Sequence, residues 1–379
     1  MMKFAYFAVL LLAWASCSEE QRVSVVVKNT TGMERCLETV EVDWKELEAR
    51  LPEIDPNRVI VLNDAGQEMA SQVIFRGTDK PVSFIFQVSV QPNAEAVFQV
   101  KPGQPAAYEK QAYGRFVPER KDDYAWENNL VGHRMYGPAL EATGEISNGI
   151  DTWVKRTGEL LIDEWYRTGD YHKDHGKGMD CYKVGRTLGA GAMAPFVDGK
   201  MVLANNYVSQ RTLDNGPLRI SFRLDYAPFR AGKHELTETR IISLDANSHF
   251  NRIEEIYTGA PEGMPVVAGI VARPEPGDTL LDASKGIVAY WEPQNNDNGD
   301  NNGHTGIAVV FPDSMSDAFC RNGHFLALGA CPGSGKSFVY YVGTGWSKAD
   351  VPSATDWFRR VEEERFKVKH PLQVRVLDK

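Results

Sequence analysis

From residue 218 to residue 343 the chain is written in alternation. Residues 218–226 and 233–257 set apolar and polar side chains at every second position, and the shorter runs 286–291, 305–311, 323–329 and 337–343 are rich in β-branched and aromatic residues. A period of two sends successive side chains to opposite faces of a pleated strand. Turn residues recur between the runs, so strand follows strand with few helices between, and the expected architecture is antiparallel sheets packed face to face. Residues 353–366 predict a solid helix, with Ser353 as its N-cap and charges on its outer face. Residues 21–100 repeat the strand pattern on a smaller scale, in Val23-Ser-Val-Val-Val-Lys28, Arg58-Val-Ile-Val-Leu62, Gln72-Val-Ile-Phe75 and Val82-Ser-Phe-Ile-Phe-Gln-Val88, with a short amphipathic helix expected over 43–51. Lys101-Pro-Gly-Gln-Pro105 reads as a seam. The expected organisation is a mainly β chain: a signal segment at 1–17, a small N-terminal β-sandwich domain at 18–103 and a large antiparallel sandwich domain at 104–379.

Residues 1–16 have the features of a secretion signal, with Lys3, an apolar run and small residues before Cys17. The small residues ahead of Cys17 resemble a bacterial lipobox, with Trp14 where Leu or Val is usual, and Cys17-Ser-Glu-Glu20 resembles an acidic surface-export tag. The expectation is lipidation at Cys17 and a place in the cell envelope as an outer-membrane lipoprotein. No later segment approaches the ~20 apolar residues of a membrane helix, so membrane contact would come from the lipid alone. The net charge of −9 gives no sign of a nucleic-acid partner. Cys36, Cys181, Cys320 and Cys331 fit no zinc spacing. An oxidising compartment permits a Cys320–Cys331 bridge, and buried free thiols are the alternative.

Chemistry concentrates in residues 171–183, Tyr-His-Lys-Asp-His-Gly-Lys-Gly-Met-Asp-Cys-Tyr-Lys. Glycines free the backbone for close approach to a ligand, and His, Asp and Tyr move protons or bind metals. One reading is general acid/base catalysis by His172, His175, Asp180 and Tyr182, with Lys183 as a stabilising cation. A second is a metal held by His172, His175 and Asp180. A third is a solvated polar loop. Residues 126–138 read as one strand that sets Trp126, Asn128, Arg134 and Tyr136 on one face, with Glu127 beside them. Arg134 there would hold a ligand carboxylate in two hydrogen bonds or bridge sheet edges. Trp126 and Trp346 are the rings proposed to stack on a sugar face, while Trp153, Trp165, Trp291 and Trp357 are expected in the core.

Three further motifs carry alternatives. Ala330-Cys-Pro-Gly-Ser-Gly-Lys-Ser337 resembles a phosphate-binding loop, but a strand pattern follows where a helix is needed, so a hairpin turn and no nucleotide are expected. Asp297 and Asp300 in the Asn-rich loop 294–304 would suit calcium or another divalent ion, or a plain turn; no cofactor is otherwise expected. His234, Glu238 and Arg240 alternate along one strand, on the wet face of a sheet or lining a sugar cleft.

Residues 126–139, Gly149-Ile-Asp-Thr-Trp-Val-Lys155, residues 171–185 and Tyr340-Tyr-Val-Gly-Thr-Gly-Trp-Ser-Lys348 together resemble a secreted bacterial family of unassigned function, often encoded beside polysaccharide-degrading enzymes and similar to galactose-mutarotase-like β-supersandwich proteins. Asn129, Leu130 and His133 depart from the Asp, Arg and Phe usual in that family. The resemblance implies a β-supersandwich for the large domain, a carbohydrate setting and an oligosaccharide or polysaccharide partner. The expected function is an enzyme that processes uronic-acid-containing oligosaccharides by acid/base chemistry, as lyase, epimerase or hydrolase. The alternative is a glycan-binding surface lipoprotein without turnover.

Overall fold

A computed structural model describes residues 21–295 and 301–378. The signal segment, Cys17, Asp297 and Asp300 lie outside them. The chain is mainly β, with antiparallel sheets throughout and few helices.

Two small sheets make the first sandwich. Val23–Lys28, Val59–Leu62, Glu68–Met69 and Glu95–Pro102 lie in one; Arg35–Asp43, Ser71–Ile74 and Ser83–Val90 face them. Val25, Val27, Phe84, Phe86 and Val100 fill the space between, from the inward positions of their strands. The helix Trp44–Arg50 covers one end; Asp43 caps it by accepting the Lys45 N–H at 2.7 Å. The domain boundary needs one correction. Gln373–Leu377, expected within the large domain, pairs antiparallel with Val23–Lys28 and completes the first sheet.

Three sheets build the rest. Ala112–Val117, Asp123–Asn128, Val131–Met135, Asp151–Lys155 and Gly178–Met179 form a five-stranded sheet. Met193–Val197, Lys200–Met201, Pro265–Val271, Asp317–Arg321 and His324–Ala330 form a second. The largest sheet has nine strands, running from Tyr207–Asn215 at one edge to Asp278–Asp282 at the other. Its inner face sends Phe222, Ile242, Ile253, Ile307 and Val342 into one apolar core with Trp126, Met193 and Val267 from the smaller sheets. The helix Ala354–Lys369, capped by Ser353, lies on its outer face through Trp357 and Val361. Gly306 makes that contact possible, because a Cβ there would stand 2.5 Å from the Trp357 ring.

The expected long run 233–257 is a hairpin, His234–Asp245 and Phe250–Thr258, turned through Asn247 at φ 60°. After Gly333 and Gly335, both at positive φ, comes the strand Ser337–Trp346. Cys320 is an exposed thiol and Cys331 a buried one, with no bridge between them. Among the described residues no helix is long and apolar enough to cross a membrane.

Candidate functional site

The region predicted as a single strand through Trp126 and Arg134 is a hairpin. Asp123–Asn128 and Val131–Met135 pair across a turn at Asn129 and Leu130, and Trp126 stands opposite His133. Neighbours along a strand face opposite ways, so Arg134 faces away from Trp126. Trp126 lies in the core, stacked on His133 and donating its Nε1–H to Asn251 at 2.7 Å. It has no face to offer a sugar, which corrects its assignment as a binding residue. Burial pushes the His133 imidazole down to about 3, so the ring is neutral.

Arg134 lies on the other face of the five-stranded sheet, beneath residues 156–180, which include the helix Ile162–Thr168. Its Nη2 is 2.6 Å from Asp151 Oδ2 and 2.7 Å from Asp180 Oδ2. The same Asp151 oxygen accepts the Tyr136 hydroxyl at 3.0 Å, and Asp123 Oδ2 is 3.8 Å from Arg134 Nη1. The rings of Tyr136, Trp153 and Tyr171 surround the guanidinium at 5.0, 5.4 and 5.9 Å. Arg134 is therefore buried and fully engaged, and it is not the receptor for a ligand carboxylate that its place in the sequence suggested.

Arg134 and Arg120 face three carboxyl groups, so one of the three has no cationic counterpart. Burial, with Asp151 adding repulsion and Arg134 opposing it, raises the Asp180 carboxyl to about 8. Burial also raises Asp123 to about 6, against the pull of Arg134 and Arg120. Asp180 thus holds a proton near neutral pH. The His172 imidazole, 63% exposed, brings Nδ1 to 3.4 Å from Asp180 Oδ2 and 3.2 Å from the Asp180 carbonyl. The loop brings His172 and Asp180 together.

The loop's backbone explains this placement. Asp174 accepts the N–H groups of Gly176 and Gly178, and Arg156 pairs with its carboxylate. Gly178, at φ 132°, pairs with Lys155 where a Cβ would strike the Val154 carbonyl. The Asp180 N–H donates to the Tyr171 carbonyl at 2.8 Å, closing the loop beside the sheet.

Other predicted residues stand elsewhere. His175 meets Asp170 at 2.9 Å, and both side chains are more than half exposed. That contact takes His175 away from the Asp180 group. Tyr182 is buried with its ring under Arg273, and burial pushes its hydroxyl well above the ordinary range, so it is no base at neutral pH. Glu127 is buried in an ion pair with Lys155 at 2.6 Å and caps the short helix by accepting the Leu161 and Ile162 N–H groups at 2.5 and 2.7 Å. It holds the loop rather than a ligand. Lys183 is exposed. Trp346 is buried among Val154 and Met179, with Arg156 over its ring at 5.3 Å, so it is core and not a stacking platform. Glu238 and Arg240 share a face, but it is the buried inner face of the large sheet, where Arg240 pairs with Glu238 and Glu255. Among the described residues no three His, Cys, Asp or Glu side chains are placed to hold a metal ion.

Reading the sequence missed Asp123, Asp151 and Arg120 at this site, though it set Tyr136 on the face of Arg134. Asp151 had a signal: it lies between Gly149 and Trp153 in a motif otherwise read only as a family mark. A separate polar cavity of about 400 Å³ opens between the first sandwich, the outer face of the large sheet and the C-terminal helix, lined by Glu38, Arg219, Arg252, Tyr341 and Arg359 among others, and none of the predicted residues lines it.

Comparison with known proteins places the whole arrangement. A family model described as a domain of unknown function, DUF4861, matches residues 27–374. The chain belongs to the DUF4861 family. It is 30% identical over 401 residues to "Uncharacterized protein P7" of Formosa agariphila, covering 98% of each chain. Among solved structures it is similar to a glycosyl hydrolase family 38 protein from Enterococcus faecalis, with a TM-score of 0.55 and 11% identity over 95% of this chain. It is also similar to an α-mannosidase from the same species, with a TM-score of 0.52 and 10% identity. The chain spans about half the length of these two structures, 48% and 47%. At such identity the likeness is one of fold, and this DUF4861 chain shares its sandwich architecture with parts of both.

Proposed function

We propose that this DUF4861 chain is a carbohydrate-active envelope protein that processes uronic-acid-containing oligosaccharides by acid/base chemistry. The observation that carries the reading is the approach of the exposed His172 imidazole to within 3.4 Å of the Asp180 carboxyl, which Arg134 fixes from behind at 2.7 Å. Asp180 stores a proton at neutral pH. His172, with Nδ1 turned to Asp180, presents Nε2 to a ligand and passes a proton to or from it. Exposed Lys183, the alternative to Arg134 for this part, neutralises the sugar carboxylate, which eases removal of the neighbouring C5 proton in a lyase or epimerase. A hydrolase would use the same pair to protonate a leaving oxygen. The fold likeness to a family 38 glycosyl hydrolase and an α-mannosidase supports a sugar ligand. The sequence of residues 1–20 supports secretion and a lipid anchor at Cys17 in the outer membrane.

The test is incubation with pectic, ulvan-like and glycosaminoglycan oligosaccharides, followed by unsaturated-uronate absorbance and chromatography. Products that vanish in both His172→Ala and Asp180→Asn are the expected result. A second reading, a glycan-binding lipoprotein without turnover, is favoured by the closure of Tyr171 and Trp153 over Arg134. Binding without any product would establish it and overturn the first.

A further inference from the structure

The chain has a net charge of −9, and its buried and half-buried guanidiniums already hold carboxylates: Arg134, Arg219, Arg240 and Arg273 each pair with one. One open groove breaks that pattern. It has a volume of about 620 Å³ and is lined by Arg186 and Lys200 together with Val197, Met201, Val202 and Leu203. Both cations are exposed, and neither meets a carboxylate among the described residues. Asp198, in the hairpin turn beside Lys200, is the acidic member of the lining. Arg321 adds a third positive charge against the same turn: a Cβ on Gly199 would stand 3.4 Å from its Nη1. The four apolar side chains are left half-exposed in one patch.

Backbone contacts fix the groove before any ligand arrives. Met193–Val197 and Lys200–Met201 pair as a hairpin that sets Val197 opposite Lys200. Its two-residue turn, Asp198 at φ 50° and Gly199 at φ 74°, has both central residues left-handed, the form that matches the twist of paired strands. The Val202 N–H donates to the Pro195 carbonyl at 2.9 Å and holds the next residues beside the hairpin. The Gly199 carbonyl accepts Asn322 Nδ2 at 3.4 Å, which ties this turn to the hairpin of Asp317–Arg321 and His324–Ala330. Arg186 stands in a turn that the Thr187 hydroxyl closes by donating to the Val184 carbonyl at 2.7 Å, and the Leu188 N–H donates to His324 Nε2 at 3.2 Å.

Exposed cations without carboxylate partners attract an anion, and a patch of half-exposed apolar side chains marks a binding surface. A ligand that suits both has a negative group and an apolar face. A uronate residue has them: a carboxylate that fits the planar fork of Arg186, and a ring whose C–H face packs on aliphatic side chains. An anionic membrane offers the same charge on a flat sheet, which does not enter a groove.

We propose that Arg186 and Lys200 bind the carboxylate of a uronate residue in this groove, with Val197, Met201, Val202 and Leu203 against its C–H face. This rests on the uronate reading of the substrate and gives that substrate a binding contact apart from the His172–Asp180 pair. Asp180 and Arg186 are six positions apart, so their Cα atoms lie no more than about 22 Å from each other, within the span of one oligosaccharide. The test is calorimetric titration of acidic pectic, ulvan-like and glycosaminoglycan oligosaccharides, and of their carboxyl-reduced forms, into the wild type and the double variant Arg186→Gln/Lys200→Gln. The wild type should bind at least one acidic series, lose at least tenfold in affinity for its carboxyl-reduced form, and bind more weakly as salt is raised. The double variant should bind the acidic series at least tenfold more weakly, with its unfolding temperature unchanged, since both side chains are exposed. Lys28→Gln, which removes a positive charge from the first sandwich, should bind as the wild type does. Equal affinity of wild type and double variant, or no binding of any acidic oligosaccharide by the wild type, would overturn the groove assignment. Variant-sensitive binding to phosphatidylglycerol vesicles, with none to the oligosaccharides, would overturn it in favour of a membrane contact. Turnover with KM unchanged in the double variant would remove the groove and leave the acid/base reading standing. Variant-sensitive binding without turnover would do the reverse.

Discussion

Arg134 Nη2 and Asp180 Oδ2, 2.7 Å apart and both buried, join the second strand of a sheet hairpin to the far end of the histidine loop. The pair holds the loop against the sheet. Removing one member leaves the other charge buried and unpaired, which costs about 3–5 kcal/mol. Arg134→Met should therefore lower stability by about that amount in urea unfolding at pH 8. The loss should shrink at pH 5, where the abandoned Asp180 carboxyl is protonated. An equal loss at both values would show that the carboxylates are not what Arg134 balances.

The raised Asp180 carboxyl makes stability depend on pH in a fixed direction. Its folded value of about 8 lies above the ordinary carboxylate range. Between about pH 4 and pH 8 the folded state therefore binds the proton that the unfolded chain has lost. The contribution is complete below about pH 4 and is lost as pH rises through 8, at no more than about 1.4 kcal/mol per pH unit. Asp180→Asn should remove this slope. Urea midpoints of both proteins from pH 5 to 9 would check it; parallel profiles would refute the assignment. Turnover, where it depends on a protonated Asp180, should fall above about pH 8.

Glu127 ties Lys155 to the start of the helix Ile162–Thr168. Glu127→Ala should destabilise the fold by about 3 kcal/mol or more, because it strands a buried ammonium and uncaps the helix. Hydrogen exchange should rise first across residues 156–170. Protection unchanged there would mean that the helix stands without its carboxylate anchor.

The two loop histidines should separate cleanly. Among the described residues His175 pairs with exposed Asp170 alone, so His175→Ala should change stability by less than about 0.5 kcal/mol and leave any turnover intact. His172→Ala should also leave stability nearly unchanged while abolishing turnover. Loss of activity in His175→Ala would move the chemistry to the outer end of the loop.

Much of the fold is legible because its signals are local. Alternation marked the strands, Ser353 announced the helix it caps, and the Gly-Ser-Gly turn before Ser337 read as a turn because a strand pattern follows it. The site is half legible for a physical reason. The composition of residues 171–183 marks chemistry, but which side chains meet depends on parity across turns. A hairpin loop at Asn129 and Leu130, unseen in the alternation, sends Trp126 and Arg134 to opposite faces. Burial is also nonlocal: Tyr182, Trp346 and Glu127 are enclosed by segments distant in sequence. The helix Ile162–Thr168, with Asp163 and Glu164 in its first turn and Gly169 as its left-handed C-cap, was visible in principle but too short for periodicity to reveal.

The pairing of Val23–Lys28 with Gln373–Leu377 has a consequence during synthesis. As the chain leaves the ribosome or a translocation channel, the opening strand waits with one row of backbone donors and acceptors uncovered until almost all remaining residues have emerged. The sandwich begun at Val23 is thus finished only when Gln373–Leu377 has been made, and a nonsense codon shortly before Gln373 would damage a sheet some 270 or more residues earlier in the sequence.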